Sequence, residues 1–127
     1  MNILDANIVA SQREQLATWG IRVRQIGRDL GHRFDPDANI IPLLRNQKRA
    51  TFFTRDRDFW DAGLSDPHYC IVWLDVPAMQ AGFYIRRFLR HPRFNSAAKR
   101  RGKVVQARPT GLVVFRSSEG KPEYADW

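Results

Sequence analysis

Four aspartates carry the chemistry this sequence can offer: Asp5, Asp37, Asp56 and Asp58. Asp5 ends the apolar run Asn2-Ile3-Leu4, and Asp56 and Asp58 follow the run Thr51-Phe52-Phe53-Thr54. Asp37 falls in the first turn of a helix opened by Asp35-Pro36. If the first and third strands are close neighbours, the four side chains can converge on one pocket. Two carboxylates about 4 Å apart repel by ~4 kcal/mol at an effective dielectric of about 20. A cluster of four therefore stays ionised only beside a cation; otherwise some members take up protons. All-oxygen ligation favours Mg²⁺ or Mn²⁺ over zinc. Such an ion can activate water and stabilise the leaving oxygen in phosphodiester cleavage.

Each aspartate also has a plain structural use. Asp35 and Asp37 can cap a helix and complement its dipole, and Asp56 and Asp58 can pair with Arg55 and Arg57 on a solvated turn. Taken singly, these signals are weak. Their joint placement carries the expectation.

The elements that must position them follow from periodicity. Asn2 to Leu4 reads as a strand, and Ser11 as the cap of a helix over Gln12 to Trp19 that ends at Gly20. Ile21, Val23 and Gln25-Ile26 read as a second strand, with Arg22 and Arg24 alternating outward. Gly27 to Phe34 reads as a loop. Asp35-Pro36-Asp37 opens a helix bearing Ile40, Leu43 and Leu44, with Pro42 tolerable only near its first turn. Thr51 to Thr54 is the third strand, and a short helix or turn covers Phe59 to Leu64. Ile71 to Leu74, apolar on both faces, is a central fourth strand. Met79 to Leu89 is a basic amphipathic helix broken by His91-Pro92. Val104-Val105 and Leu112 to Phe115 form a late hairpin across Arg108 to Gly111. Strands alternating with helices predict an α/β fold: a three-layer α/β/α sandwich with a mostly parallel central sheet. Sites in such sheets lie beyond the carboxyl ends of the strands, where Asp5, Asp56 and Asp58 fall. Residues 1–116 are expected to form one domain, with 77–116 its basic C-terminal part and 117–127 a tail.

Charge points to a partner. The net charge is +8, and ten of the 13 acidic residues lie at or before Asp75, with Glu119 the next. Between them run Arg86, Arg87, Arg90, Arg93, Lys99, Arg100, Arg101, Lys103, Arg108 and Arg116. A basic surface beside an acidic cluster suits an enzyme that grips a polyanion and does metal chemistry on it. A basic face that is merely solvated, or that meets an acidic protein, is the alternative. With 43% hydrophobic residues the chain has material for a core. No apolar run approaches the ~20 residues of a membrane span. The start has no signal-peptide pattern, and the lone Cys70 excludes an internal disulfide and a zinc ribbon. A reducing cytoplasm is the expected setting.

Three motifs carry a resemblance: Ile3-Leu4-Asp5-Ala6-Asn7, Asp37-Ala38-Asn39-Ile40, and Phe53-Thr54-Arg55-Asp56-Arg57-Asp58-Phe59. With them, the chain from Asn2 to about Val76 resembles the PIN-like nucleases, in the compact branch related to VapC-type toxins of toxin–antitoxin systems. The resemblance implies Asp5, Asp37, Asp56 and Asp58 as metal-binding and catalytic residues, with Asn7 and Thr54 supporting. It also implies metal-dependent RNA cleavage and, for toxin members, inhibition by a cognate antitoxin. The chain departs from many relatives at Ala6, where an acidic residue is common, and the segment after Val76 is less typical. The resulting expectation is a Mg²⁺- or Mn²⁺-dependent endoribonuclease, with Arg86, Arg87 and Arg90 holding the RNA. An antitoxin and a second copy of the chain are its candidate protein partners, and no membrane is involved. The alternative is a catalytically silent PIN-like protein that binds nucleic acid or a partner.

Other constellations are discounted. His32, His68 and His91 are scattered without ligand spacing and read as surface or loop histidines. No Gly-rich phosphate loop or nucleophile elbow occurs. Cys70 precedes an apolar strand and reads as core. Trp19 and Trp73 sit at core-like positions, which leaves Trp60, close to Asp58, as the tryptophan to consider near a substrate.

Overall fold

The computed structural model describes residues 1–31, 40–118 and 120–127. Seven strands among these residues form one sheet: β1 (Asn2–Leu4), β2 (Arg24–Gln25), β3 (Ala50–Thr54), β4 (Tyr69–Leu74), β5 (Val104–Arg108), β6 (Gly111–Phe115) and β7 (Glu123–Ala125). Their order across the sheet is β2-β1-β3-β4-β5-β6-β7. The first five run parallel, and β6 and β7 are added antiparallel. The helices are α1 (Ala10–Thr18), α2 (Ile40–Asn46), α3 (Ala81–Arg90) and α4 (Ala97–Arg100), with single turns at Arg57–Phe59, Ala62–Leu64 and Ala78–Gln80.

Alternation along the strands sorts the core into two clusters, one on each face. Leu4, Phe53, Val72, Leu74 and Val105 join Leu16 of α1 and Ile85 and Phe88 of α3. Ile3, Phe52, Ile71 and Val104 join Ile40 and Leu44 of α2, with Phe59 and Trp60 from the turns. Every residue of β4 is buried, as a central strand covered on both faces requires.

Four local expectations are corrected. Val9, not Ser11, is at the N-cap of α1, without a side-chain cap bond; Ser11 lies inside the helix, with its hydroxyl 3.8 Å from Met79 Sδ. Gly20 does end that helix, at φ +75°. The second strand contracts to Arg24–Gln25, while Ile21 and Val23 pack against the α1/α3 cluster. Within the expected tail 117–127, Glu123–Ala125 form β7, which pairs with β6 along Leu112–Val114. Gly111 permits that pairing: at φ +143°, a Cβ there would stand 2.9 Å from the Ala125 carbonyl. Finally, Arg100 is not part of a basic surface. It is buried on α4, where Nε donates to Thr51 Oγ1 at 2.9 Å and Nη1 to the Phe94 carbonyl at 2.7 Å. Burial lowers its pKa. The expected helix start at Asp35-Pro36-Asp37 lies outside the described residues; α2 is described from Ile40, with Pro42 as its third residue.

Candidate functional site: the carboxyl ends of β1 and β3

Asp5 follows β1, and its amide donates to the Phe53 carbonyl at 2.9 Å, which holds it against the end of β3. Its side chain is buried, with 7% exposure. Oδ1 accepts from the Ala6 amide at 2.7 Å, and Oδ2 accepts from Thr54 Oγ1 at 2.6 Å. Thr54 is the pivot between the two loops. Its oxygen accepts from the Asp56 amide at 3.0 Å and from Asn7 Nδ2 at 3.4 Å. Two acceptances use both lone pairs, so the hydroxyl proton belongs to Asp5. Asn7 closes the ring, its Oδ1 accepting from the Arg55 amide at 3.3 Å. The two supporting residues named by the resemblance are thus the links between the acidic loops.

Asp56 caps the turn Arg57–Phe59, with Oδ1 accepting from the Asp58 amide at 2.9 Å. The Asp58 side chain is exposed. Ion pairs with the neighbouring arginines are not formed. Arg55 donates through Nε and Nη2 to the Val76 carbonyl, both at 3.3 Å, and Arg57 lies 5.9 Å over the Trp73 ring. Arg55 thereby ties the β3 loop to the exit of β4. There Asp75 accepts from Gln106 Nε2 at 3.0 Å.

Behind Asp5 stands a residue that sequence reasoning missed. Gln25, buried on β2 opposite Leu4, donates through Nε2 to the Asp5 carbonyl at 3.0 Å and the Ile8 carbonyl at 2.8 Å. Its Oε1 accepts from Arg13 Nη1 at 2.6 Å. It fixes the whole loop from Asp5 to Ile8. The available signal was an amide at an inward strand position, where an apolar side chain is the ordinary occupant.

The donors at this edge are oxygens of the hard kind that Mg²⁺ and Mn²⁺ prefer. Among the described residues, however, no three His, Cys, Asp or Glu side chains gather as a metal-holding group. Asp5 and Asp56 are joined through Thr54, Asp58 is linked only through its backbone, and Asp37 lies outside the described residues. The donor chemistry is of the kind a divalent cation takes.

The three arginines expected to hold RNA lie elsewhere on the molecule. Helix α3 returns antiparallel to the strands, so its start is near the carboxyl edge while Arg86, Arg87 and Arg90 occupy its second half. Trp60 is packed against Phe115 and Trp73, with centroids 4.7 and 6.0 Å away, so its ring serves the core. Burial pushes the Cys70 thiol up to about 12, which keeps it an unreactive core group. His68 is exposed and paired with Asp66 at 2.6 Å. His91, expected as a surface or loop histidine, lies in the loop after α3 but is buried: Nδ1 accepts from the Arg93 amide at 3.1 Å, so Nε2 carries the proton directed at the Asp126 carbonyl, 2.6 Å away.

No helix among the described residues is long and apolar enough to cross a membrane. Comparison of the chain with known protein families, with characterised proteins and with solved structures finds no match.

Proposed function

We propose that this chain is a PIN-like, metal-dependent ribonuclease that hydrolyses RNA phosphodiester bonds, the toxin of a toxin–antitoxin pair. One observation carries the reading: a buried aspartate at the end of β1 is locked through Thr54 to the acidic loop at the end of the adjacent parallel strand β3. An open parallel sheet binds its ligands at this edge, and the surplus of basic residues after Val76 suits a polyanionic substrate. Asp5, Asp37 and Asp56, with Asp58 at the rim, are the residues that would hold Mg²⁺ or Mn²⁺. Bound there, such an ion would supply a water activated as nucleophile and charge stabilisation on the leaving oxygen. The chain's own contribution is positioning: Thr54 and Asn7 fix the two loops relative to each other, and Gln25 fixes the loop of Asp5 from behind. The alternative is a catalytically silent PIN-like protein that binds nucleic acid or a protein partner. It is favoured by the absence, among the described residues, of a three-carboxylate group.

Metal titration with an RNA cleavage assay decides between them. Wild type should bind Mn²⁺ or Mg²⁺ by calorimetry, and should cleave mixed cellular RNA in either metal but not in chelator. At a hundredfold excess over Kd the cation should stabilise the fold by ~2.7 kcal/mol. Asp56→Asn keeps the acceptor for the Asp58 amide, and asparagine caps as well as aspartate, so this variant should fold normally while losing metal affinity. Equal metal binding in both proteins removes Asp56 from the site. No carboxylate-dependent binding and no cleavage in wild type leaves the silent binding protein.

A further inference from the structure

Helix α3 turns a mixed aromatic and basic face outward. Phe83, Arg86, Arg87 and Arg90 share it at helical spacing, and Trp127 packs alongside. With His91 and Pro92 they line a groove of about 420 Å³ without an acidic residue in its walls. Phe83 is 52% exposed, an unusual state for a phenylalanine, and its ring is steadied edge-on by Tyr84 at 5.1 Å. The arginines are held by rings. Arg86 lies 4.5 Å over Trp19, and Arg87 lies 4.9 Å over Trp127, which is itself backed by Tyr84 at 5.6 Å and His91 at 6.3 Å. Among the described residues no carboxylate pairs with Arg86, Arg87 or Arg90. A guanidinium stacked on an aromatic face keeps its edge N–H donors for a second partner, in the planar geometry that phosphate accepts.

We propose that this groove is a subsite for single-stranded RNA, in which an unpaired base stacks on Phe83 while the strand's phosphates meet Arg86, Arg87 and Arg90. The inference rests on the ribonuclease reading for its choice of polyanion and extends it to a preference for unpaired strands. Charge alone would suit any polyanion; the exposed ring among the arginines distinguishes a base-bearing strand, because stacking needs a free π-face and a duplex hides its own. Phe83 is the third residue of α3, at the end near the carboxyl edge of the sheet. Arg90 lies seven residues on, about 10 Å further at 1.5 Å per residue. A strand lying along the helix would therefore have one end directed toward the Asp5 loop.

The test is fluorescence anisotropy in chelator, which suppresses metal-dependent cleavage. The probes are a labelled single-stranded oligoribonucleotide, the same strand as a duplex, an abasic strand of equal charge, and an acidic peptide of equal charge. The single strand should bind at least about fivefold more tightly than the abasic strand, and Phe83→Ala should cost it roughly five- to 150-fold, the range of one lost base stack. The same change should leave the abasic strand's affinity unaltered, and Phe83→Trp should restore single-strand binding. Arg87→Gln should weaken both strands alike and reduce the salt slope by about 0.7. Equal binding of normal and abasic strands, with no effect of Phe83→Ala, overturns the proposal, as does tighter binding of the acidic peptide, which would make the groove a protein-docking face. Retained single-strand binding without any metal-dependent cleavage would refute the ribonuclease reading while leaving the subsite intact.

Discussion

Replacing Asp5 by Asn should destabilise the metal-free protein, although it removes a negative charge from an acidic edge. The reason is the count of hydrogen-bond acceptors. Both carboxylate oxygens accept, one from the Ala6 amide at 2.7 Å and one from the Thr54 hydroxyl at 2.6 Å. Asparagine has a single acceptor oxygen. If that oxygen faces Ala6, the new NH₂ faces a Thr54 oxygen that already accepts from the Asp56 amide and Asn7. If the amide is flipped, the NH₂ faces the Ala6 N–H. Either rotamer loses one hydrogen bond to a charged acceptor, about 1.5–3 kcal/mol in a buried setting. For 127 residues the unfolding entropy near the midpoint is about 0.27 kcal/mol/K, so a ~2 kcal/mol loss lowers Tm by about 7 °C. Differential scanning calorimetry of both proteins in EDTA measures it. Thr54→Val removes the same bond from the other side, so the double variant should fall short of the sum of the singles by about 1–2 kcal/mol. An Asp5→Asn protein that melts at or above wild type would refute the reasoning: repulsion among carboxylates, not the bond network, would then govern this edge.

The remaining predictions address the frame around the site. Gln25→Leu should cost about 1–3 kcal/mol by chemical denaturation, because it takes the buried donor from the Ile8 carbonyl and leaves the Asp5 carbonyl with the Ile8 amide alone; a loss below about 0.5 kcal/mol would mean the loop is held by other contacts. Gly111→Ala should loosen β7, since its Cβ would meet the Ala125 carbonyl at 2.9 Å, and amide exchange across residues 123–125 should rise while that of β3 and β4 does not. Asp66 titrates low: burial acts to raise its pKa, but hydrogen bonds from His68 and the ion pair with Arg45 outweigh it. A carboxyl depressed in the folded state contributes stability that is present above its unfolded pKa near ~4 and lost as pH falls through the lower folded value. The stability gap between wild type and Asp66→Asn should therefore be full at pH 6 and close steadily below about pH 4; a gap constant down to pH 2 would contradict it.

Much of this fold was legible because its strongest signals are periodic. Phe52-Phe53 and Ile71-Val72 sit at the centre of the sheet and feed opposite faces, so continuous apolar runs mark the buried parallel strands. The hairpin across Arg108 and Gly111 was readable from flanking apolar runs around a Pro-containing turn. The missed parts have no periodic signature. Strand β2 is two residues long and places a glutamine inward, which hides it from any hydrophobic pattern. Strand β7 is half polar because it is an edge strand, and what secures it is Gly111 on its neighbour, Trp127 Nε1 on the Arg108 carbonyl at 2.7 Å, and the Arg116–Glu123 pair at 3.0 Å. Those are partners distant in sequence, and local reading cannot reach them.

The site was legible as a list of residues but not as a geometry. Sequence spacing places Asp5, Thr54 and Asp56 at strand ends; it does not reveal that one hydroxyl, with both lone pairs and its proton engaged, joins all three. Nor does it separate the arginines by role, since charge counts equally wherever it falls. In the fold Arg100 is a buried strut, Arg55 a clamp on the β4 exit, and Arg86 and Arg87 ring-mounted donors on the far half of α3. The +8 net charge therefore overstates what is available to a polyanion. A substrate that needs both the carboxylate edge and the α3 arginines must span the start of that helix, past Met79 and Phe83, the two large apolar side chains left exposed there at 65% and 52%. That requirement ties the two proposals together: a strand long enough to touch both should lose affinity on Phe83→Ala and cleavage on Asp56→Asn. A dinucleotide too short to reach Arg90 should lose neither affinity nor salt dependence when Arg90 is replaced by Gln.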